Sequence, residues 1–130
     1  MTKIEPYCAD GVYDPPFYSQ SVKVTGADAI LFLSGQVSYD PNGGVLHPND
    51  FKAQAREAFR AIEILVKAQG GDLSSVVKIT TYVTNVRYRN DLAQVREEFY
   101  PGKAPASTLV EISALAHPDW LVEIEAIAVI

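Results

Sequence analysis

The strand predicted at residues 121–130 (LVEIEAIAVI) is apolar on both faces, which restricts the folds open to this chain. Alternation places Val122, Ile124, Ala126 and Ala128 on one face, and Ile127 and Val129 beside Glu123 and Glu125 on the other. A strand at residues 76–83 (VVKITTYV) likewise has no plainly polar side. The sheet that contains these strands must therefore be covered on both faces.

Two helices are predicted. The first is expected to begin at Asn49, whose side chain can cap it, with Asp50 in its first turn, and to end at Gly70. The second is expected to start near Asn90 and to end at Pro101. Their inward apolar residues are Phe51, Ala55, Ala58, Ile62 and Leu65 in the first helix, and Leu92, Val95 and Phe99 in the second.

Three further strands are expected at residues 18–24, 29–33 and 108–112, the second of them buried, and residues 1–16 are expected to form an irregular arm. The order β-β-α-β-α-β-β predicts an α+β fold with two helices on one face of a mixed sheet. With 130 residues and no linker, the chain is expected to form one domain over residues 1–130. Because two helices cover one face only, the other apolar face predicts contacts between subunits.

Composition argues against several classes of function. The 16 acidic and 11 basic residues give a net charge of -5, which does not favour nucleic-acid binding. One cysteine, Cys8, allows no internal disulfide framework, and His47 and His117 are few for a histidine-rich metal centre. No apolar run approaches the roughly 20 residues of a membrane helix, and the first ten residues lack the apolar segment of a secretory signal. We therefore expect a cytoplasmic protein without membrane or nucleic-acid partners.

Glu123 is the first candidate for chemistry, because it interrupts an apolar strand and Glu125 repeats the interruption on the same face. A carboxylate in a half-buried cleft can act as a general acid or base. The same pattern also fits glutamates that face solvent on an edge strand, or that pair with arginines across an interface. The residues alone leave these alternatives open.

Two other segments are candidates for lining a site. Ser34-Gly35-Gln36 follows a strand, where glycine lets backbone amides approach a ligand closely, and a simple turn is the alternative. Tyr18 opens the first strand, and its hydroxyl could lie in a pocket or simply be that of a half-buried strand tyrosine. The sequence has no glycine-rich phosphate loop, no HExxH and no GxSxG motif.

Five segments carry a resemblance to a known family: LFLSGQVSYDPNGG at 31–44, QAREAF at 54–59, VVKITTYV at 76–83, PAST at 105–108 and LVEIEAIAVI at 121–130. In this order and spacing, they resemble the Rid family, also called the YjgF or reactive intermediate deaminase family, from Phe17 to Ile130. The resemblance implies a chorismate-mutase-like fold and a homotrimer with ligand sites in clefts between subunits. The best-known members hydrolyse enamines and imines to ketones and ammonia, without a metal or an organic cofactor.

The resemblance also implies which residues form the site. Tyr18 matches the family's site tyrosine, and Ser34 and Gly35 match the serine-glycine pair that lines the site. Glu123 matches the glutamate assigned to the attacking water. An imine carbon is already electrophilic, so a single carboxylate that positions water and moves protons can support the hydrolysis.

The departures from the family pattern concern substrate binding. Deaminating members carry PAR followed by serine or threonine, and that arginine clamps the substrate carboxylate, whereas Ser107 stands in its place here. A hydroxyl cannot replace a guanidinium fork. Leu109 stands where a site cysteine often occurs, and Ala61 and Ala93 replace frequent asparagines. Other cations that could take the role, or be ordinary surface charges, are Arg87, Arg89, Arg96 and Lys103.

Two functions therefore stay open. The first is a Rid-type enamine or imine deaminase with a substrate preference altered by Ser107. Its predicted catalytic residues are Glu123 and Tyr18, and its predicted substrate-binding residues are Ser34, Gly35, Ser107 and Leu109. The second is a non-catalytic trimer of the same fold that binds a small metabolite. A nuclease or translation-inhibitor activity, attached to some relatives, does not fit the negative charge.

Overall fold

The computed structural model describes residues 1–102 and 104–130 of the chain. Its strands are β1 (Lys3–Tyr7), β2 (Tyr18–Ser19), β3 (Ser21–Thr25), β4 (Ile30–Gln36), β5 (Val76–Val83), β6 (Ala104–Glu111) and β7 (Val122–Val129). Its α-helices are α1 (Phe51–Ala68) and α2 (Arg89–Phe99). Short 3-10 turns precede β5, at Leu73–Ser75, and α2, at Val86–Tyr88. Neither α-helix in this part of the chain is long and apolar enough to cross a membrane.

The main sheet has five strands in the order β2-β6-β5-β7-β4. Strands β2 and β5 run parallel to β6, whereas β7 runs antiparallel to both β5 and β4. Strands β1 and β3 form a separate antiparallel pair, in which Lys3 lies opposite Thr25 and Tyr7 lies opposite Ser21. The predicted α+β fold with a mixed sheet is confirmed.

Both α-helices pack on one face of the main sheet and form its core. The largest side chains that are fully buried include Phe59 and Ile62 of α1 and Ile124 of β7. Phe59 also stacks on Phe99 of α2, with ring centroids 5.1 Å apart. The core is closed by residues of the helices and the inner strands: Phe51, Ala55, Ala58, Val66, Ile79, Val83, Leu92, Val95, Val122 and Ala126.

The opposite face of the main sheet, called the open face below, carries Phe32, Tyr82, Glu123 and Glu125 and has no helix on it. On β4, Ile30 is 59% exposed and Phe32 is 78% exposed. The prediction of a buried strand at residues 29–33 is therefore wrong for the side chains that this strand places on the open face of a single chain. The prediction that the helices leave an apolar face uncovered is confirmed. Burying these exposed apolar side chains against another protein surface would be energetically favourable.

The amino-terminal strands differ from the prediction. Residues 1–16 are not all irregular, since Lys3–Tyr7 is a strand. The strand expected at 18–24 is divided at Gln20, because Ser19 pairs with β6 whereas the residues after Gln20 pair with β1. The Gln20 side chain donates to the backbone carbonyl of Tyr13 at 2.9 Å, which holds the chain at this change of partner.

Two other strands are longer than predicted. Strand β4 continues through Ser34 to Gln36 instead of ending at the Ser34-Gly35 pair, and β6 begins at Ala104 instead of Thr108. Extra pairing explains both differences, since Gln36 lies opposite Ile124 of β7 and Ala104 lies opposite Tyr18 of β2.

The cap of α1 is Asp50 and not Asn49. The Asp50 backbone is extended, with φ -118°, and its carboxylate accepts a hydrogen bond from the amide of Ala53 at 3.1 Å. Asn49 adopts a left-handed conformation, with φ 63°, and so turns the chain into the helix. At the carboxyl end of the apolar stripe predicted for this helix, Leu65 is 38% exposed, and Val66 is the buried residue instead.

Replacement of the cap should separate these two roles. We expect Asp50→Ala to lower the free energy of unfolding by about 1 kcal/mol, because one orphan amide of the first turn loses its acceptor. Asn49→Gly should not lower it, because glycine adopts the left-handed conformation without steric cost. Urea unfolding of both variants provides the measurement, and a larger loss for Asn49→Gly would return the cap to Asn49.

Candidate functional site

The predicted site residues lie on the two opposite faces of the main sheet. Ser107 is paired with Ile79, and Leu109 with Thr81, both of which are buried beneath the helices. Directly paired residues share a face, so Ser107 and Leu109 lie on the helix side. Glu123 is paired with Tyr82 and lies on the open face. The structure therefore brings the candidates together in two clusters and not in one.

The first cluster surrounds a cavity of about 440 Å³ between α2, β2 and β6, called the edge cavity below. The residues that line it include Tyr18, Arg89, Ala93, Arg96, Ser107 and Leu109. Tyr18 is half-buried and lines this cavity, and its part in the chemistry stays a prediction. Leu109 makes one wall of the cavity apolar, at the position where members of the resembled family often carry a cysteine.

Tyr18 is positioned by two bonds between its neighbours and β6. The amide of Ala104 donates to the carbonyl of Phe17 at 2.8 Å. The hydroxyl of Ser19, which is buried, donates to the carbonyl of Ala104 at 3.0 Å. Strand β2 has only two residues, so these contacts, together with its pairing to β6, fix the direction of the Tyr18 side chain.

Arg89 and Arg96 are the cations that reach the edge cavity. Burial lowers the pKa of the half-buried Arg96 guanidinium, the nearby Tyr18 raises it in part, and the positive charge of Arg89 lowers it. Arg87 instead lines a separate shallow cavity beside Glu111. Lys103, the remaining candidate, lies outside the described residues.

The second cluster forms at a β-bulge between β4 and β7. Ser34 and Gly35 together face the single residue Glu125, because Leu33 pairs with Ala126 and Gln36 pairs with Ile124. Bulges redirect side chains and often lie next to sites. The Ser34-Gly35 turn is therefore an irregularity within a strand.

The carboxylate of Glu123 lies directly over Gly35. A Cβ atom on Gly35 would overlap the carboxylate oxygen and would lie 2.6 Å from Cδ and 2.8 Å from Cγ of Glu123. A side chain at position 35 would therefore displace the Glu123 carboxylate from this place, although the backbone of Gly35 has no positive φ. The neighbouring Ser34 is exposed, and its backbone carbonyl accepts a hydrogen bond from the side-chain amide of Gln36 at 3.0 Å.

The two glutamates of β7 differ in their partners. Glu125 accepts a hydrogen bond from the hydroxyl of Tyr82, and this bond raises the pKa of Tyr82. The side chain of Glu123 makes no hydrogen bond or ion pair with residues 1–102 or 104–130. Within that part of the chain, neither glutamate pairs with an arginine. Glu123 is therefore a half-buried carboxylate with free acceptor capacity.

A buried glutamine that sequence reasoning missed fixes the start of β7. The Gln54 side chain accepts from the amide of Leu121 at 2.8 Å, and donates to the carbonyls of His47 and Asp119 at 3.0 and 2.8 Å. Leu121 lies two residues before Glu123, so Gln54 anchors the strand that carries it. The signal was available, because a polar residue stands between Phe51 and Ala58 on the apolar stripe.

The histidines and the cysteine take no part in either cluster. His47 lies 3.8 Å from Glu57, and His117 lies 3.9 Å from Asp119, both in exposed positions. The Cys8 thiol donates to backbone carbonyls near the amino terminus. In the described ranges, no group of three or more His, Cys, Asp or Glu could hold a metal ion.

The fold and the two clusters define a class of protein: a mixed-sheet α+β domain with a free carboxylate at a strand bulge and a cavity beside the edge strand. A family profile described as Endoribonuclease L-PSP matches residues 15–130. The chain belongs to this family, which is the Rid or YjgF family indicated by the sequence segments.

Two relatives agree with this assignment. A RutC family protein of Pyrococcus horikoshii is 38% identical over 114 residues, covering 85% of each chain. A mouse protein named 2-iminobutanoate/2-iminopropanoate deaminase is 34% identical over 112 residues, covering 86% of this chain and 79% of its own.

Solved structures show the same architecture. A Rid-family protein of unknown function from Yersinia pestis superposes with a TM-score of 0.84 at 23% identity over 98% of both chains, a likeness of fold alone. RidA from an Antarctic Psychrobacter is 33% identical, with a TM-score of 0.70, over 96% of this chain and 94% of its own. The chorismate-mutase-like fold expected from the resemblance is confirmed.

Removal of the Gln54 amide should destabilise the region that holds β7. We expect Gln54→Leu to lower the free energy of unfolding by about 2–4 kcal/mol, because the amide of Leu121 and the carbonyls of His47 and Asp119 lose their hydrogen-bond partner. The matched control is Gln94→Leu on the exposed side of α2, where the change should be within about 0.5 kcal/mol. Chemical denaturation compares the two, and an equal effect would contradict the anchoring role.

Proposed function

We propose that this protein is an imine or enamine deaminase, which hydrolyses a C=N bond to a carbonyl compound and ammonia. The observation that carries the proposal is the Glu123 carboxylate, which is half-buried on an apolar face and unpaired within the described chain. A carboxylate in this state can hold a water molecule and accept its proton. The names of the mouse and rat relatives support the same chemistry.

The proposed reaction starts from a protonated imine, whose carbon is electrophilic. Glu123 accepts one proton from water as the water oxygen bonds to that carbon, which gives a carbinolamine. The proton then passes from Glu123 to the nitrogen, and the C–N bond breaks. As the C=O bond forms, Glu123 takes the hydroxyl proton and passes it to the departing ammonia, which leaves as ammonium. Water supplies the oxygen, and Glu123 returns to its starting charge. The steps need positioning and proton transfer only.

The proposal includes a second subunit. Tyr18 and Ser107 line the edge cavity on the helix side, whereas Glu123 lies on the open face, so one chain does not join them. The exposed Phe32 on the open face favours burial against another copy. We propose a homotrimer in which the edge cavity of one subunit meets Glu123 of its neighbour, as the family resemblance implies.

The substrate preference is proposed to differ from that of members with arginine at position 107. Ser107 contributes a hydroxyl to the edge cavity and no charge. Tyr18 contributes a second hydroxyl, and Leu109 an apolar wall. Such a cavity favours a substrate with a substantial apolar part.

Replacement of Glu123 tests the catalytic assignment. We expect Glu123→Gln to lower imine hydrolysis by about 10²–10⁴-fold, because glutamine cannot accept the proton from water. The measurement is ammonia release, with imines generated in place by an amino-acid oxidase acting on several amino acids. The matched control is Glu125→Gln, on the same face of β7, which should retain most of the turnover. Both variants should retain the oligomeric state of the wild-type protein.

Equal turnover by wild type and Glu123→Gln would contradict this mechanism. If the wild-type protein binds a ligand that raises its Tm but converts none of the imines, the non-catalytic metabolite-binding trimer becomes the better description.

Substitution of Gly35 tests whether the position of the carboxylate matters. We expect Gly35→Ala to lower turnover on the order of 10²-fold, because the new methyl group displaces Glu123 from the bulge. In a Glu123→Gln background, the same substitution should cause little further loss, because the two changes remove one function. Rates of the four proteins form the cycle, and additive losses would show that Gly35 acts independently of Glu123.

A further inference from the structure

The edge cavity is positively charged in an acidic protein. Of the described residues that line it, Arg89 and Arg96 are cationic and none is Asp or Glu. The whole chain has a net charge of -5, so this sign is opposite to that of the molecule. A concave site with an excess of one charge concentrates ligands of the other charge.

Arg96 lacks the acidic partner that the arginines of α1 have. Arg56 forms a two-pronged pair with Glu98, at 2.9 and 3.0 Å, and Arg60 contacts Glu57 at 2.6 Å. Within residues 1–102 and 104–130, the Arg96 side chain makes no hydrogen bond or ion pair, although it is half-buried. The adjacent Glu97 is exposed and lines a smaller neighbouring cavity, which Arg96 also borders, but the two side chains form no ion pair.

A partly buried charge without a partner is costly, and an anion would offset that cost. Burial lowers the pKa of Arg96 more than the nearby Tyr18 raises it, and Arg89 lowers it further, so the surrounding protein does not fully offset the cost of burying the charge. A bound carboxylate would supply the missing counter-charge and two acceptors for the guanidinium.

The geometry leaves room for such a ligand. Arg89, Ala93 and Arg96 follow at intervals of four and three residues, so they share one face of α2. Ser107 and Leu109, two residues apart, share the face of β6 that borders the same cavity. Because Ala93 and Ser107 are small, the cavity stays open between the helix and the strand.

We propose that Arg96 binds the carboxylate of the substrate in the edge cavity, with Arg89 as a second cation, in place of the arginine that Ser107 has replaced. This inference rests on the proposed function for the chemistry at the C=N bond. The ligand class is a small organic acid with a carboxylate next to the reacting carbon. The hydroxyls of Ser107 and Tyr18 supply neutral hydrogen bonds beside it.

The test compares a charged and a neutral probe of equal size. The probes are 2-oxobutanoate, the carbonyl product expected from 2-iminobutanoate, and its neutral amide, 2-oxobutanamide. We expect the wild-type protein to bind the acid and not the amide, and Arg96→Gln to weaken acid binding about ten- to one-hundredfold. The matched control is Arg87→Gln, outside the cavity, which should bind as the wild type does. NMR titration of the assembled protein gives the dissociation constants.

Imine hydrolysis by the same variants separates this inference from the proposed function. We expect Arg96→Gln to raise KM for 2-iminobutanoate with a smaller change in kcat, because the carboxylate contact is made before and during the reaction. Acid binding that depends on Arg96 in a protein without turnover would support the inference and contradict the deaminase. Turnover with unchanged KM and unchanged acid binding in Arg96→Gln would overturn the inference and leave the deaminase standing. A wild-type protein that binds acid and amide equally would also overturn it.

A second pair of variants applies if Arg96→Gln fails to fold. Ala93→Glu places a carboxylate three residues before Arg96 on the same helix face, where it can occupy the guanidinium. Ala93→Gln adds the same volume without charge. We expect Ala93→Glu to bind 2-oxobutanoate at least about tenfold more weakly than Ala93→Gln. Equal affinities would overturn the assignment of Arg96.

Discussion

Strand β5 determines on which face of the main sheet the candidates of β6 and β7 lie, because it is paired with β6 on one side and with β7 on the other. Its residues Ile79 and Thr81 lie beneath the helices, and through their pairing they carry Ser107 and Leu109 to the helix side. Tyr82, one residue later, carries Glu123 to the open face. A shift of one residue in either pairing would exchange the faces. The separation of the two clusters is thus a consequence of strand register.

This separation also divides the glutamates from the arginines. The open face holds Glu123 and Glu125, with Lys78 beside Glu125, whereas the edge cavity holds two guanidiniums among small and apolar side chains. Joining the two within one chain would pair Glu123 with an arginine and remove its free acceptor capacity. On the proposed function, a second subunit brings a substrate between them, so that its carboxylate meets the cations and its C=N carbon meets Glu123. The family description as an endoribonuclease does not change this view, since a small cationic cavity is no extended basic surface.

The elements that the sequence predicted are those with strong local signals. Helix α1 has a continuous apolar stripe and a glycine stop, and β5 and β7 are rich in β-branched residues. Strand β1 could not be predicted in the same way, because it is short, mostly exposed and contains Pro6, and its pairing depends on β3. The cap of α1 was misplaced by one residue, because both Asn49 and Asp50 suit an N-cap and only their backbone angles distinguish them.

The candidate site divides along the same line between local and tertiary information. Tyr18, Gly35 and Glu123 could be named from motifs, but their opposite faces followed only from the register of β5, β6 and β7. Arg96 was one of four possible cations in the sequence, and only tertiary packing left it unpaired in a cavity.

A guanidinium that comes from α2 instead of β6 would also alter the shape of the ligand that fits. On the strand, an arginine at position 107 would occupy part of the space beside Leu109. From the facing helix, Arg96 leaves that space to the ligand, with Ser107 and Ala93 as its small walls. On our assignment, loss of the strand arginine therefore does not remove recognition of a carboxylate. It moves the cation to the opposite wall and makes room for a larger acid between the two.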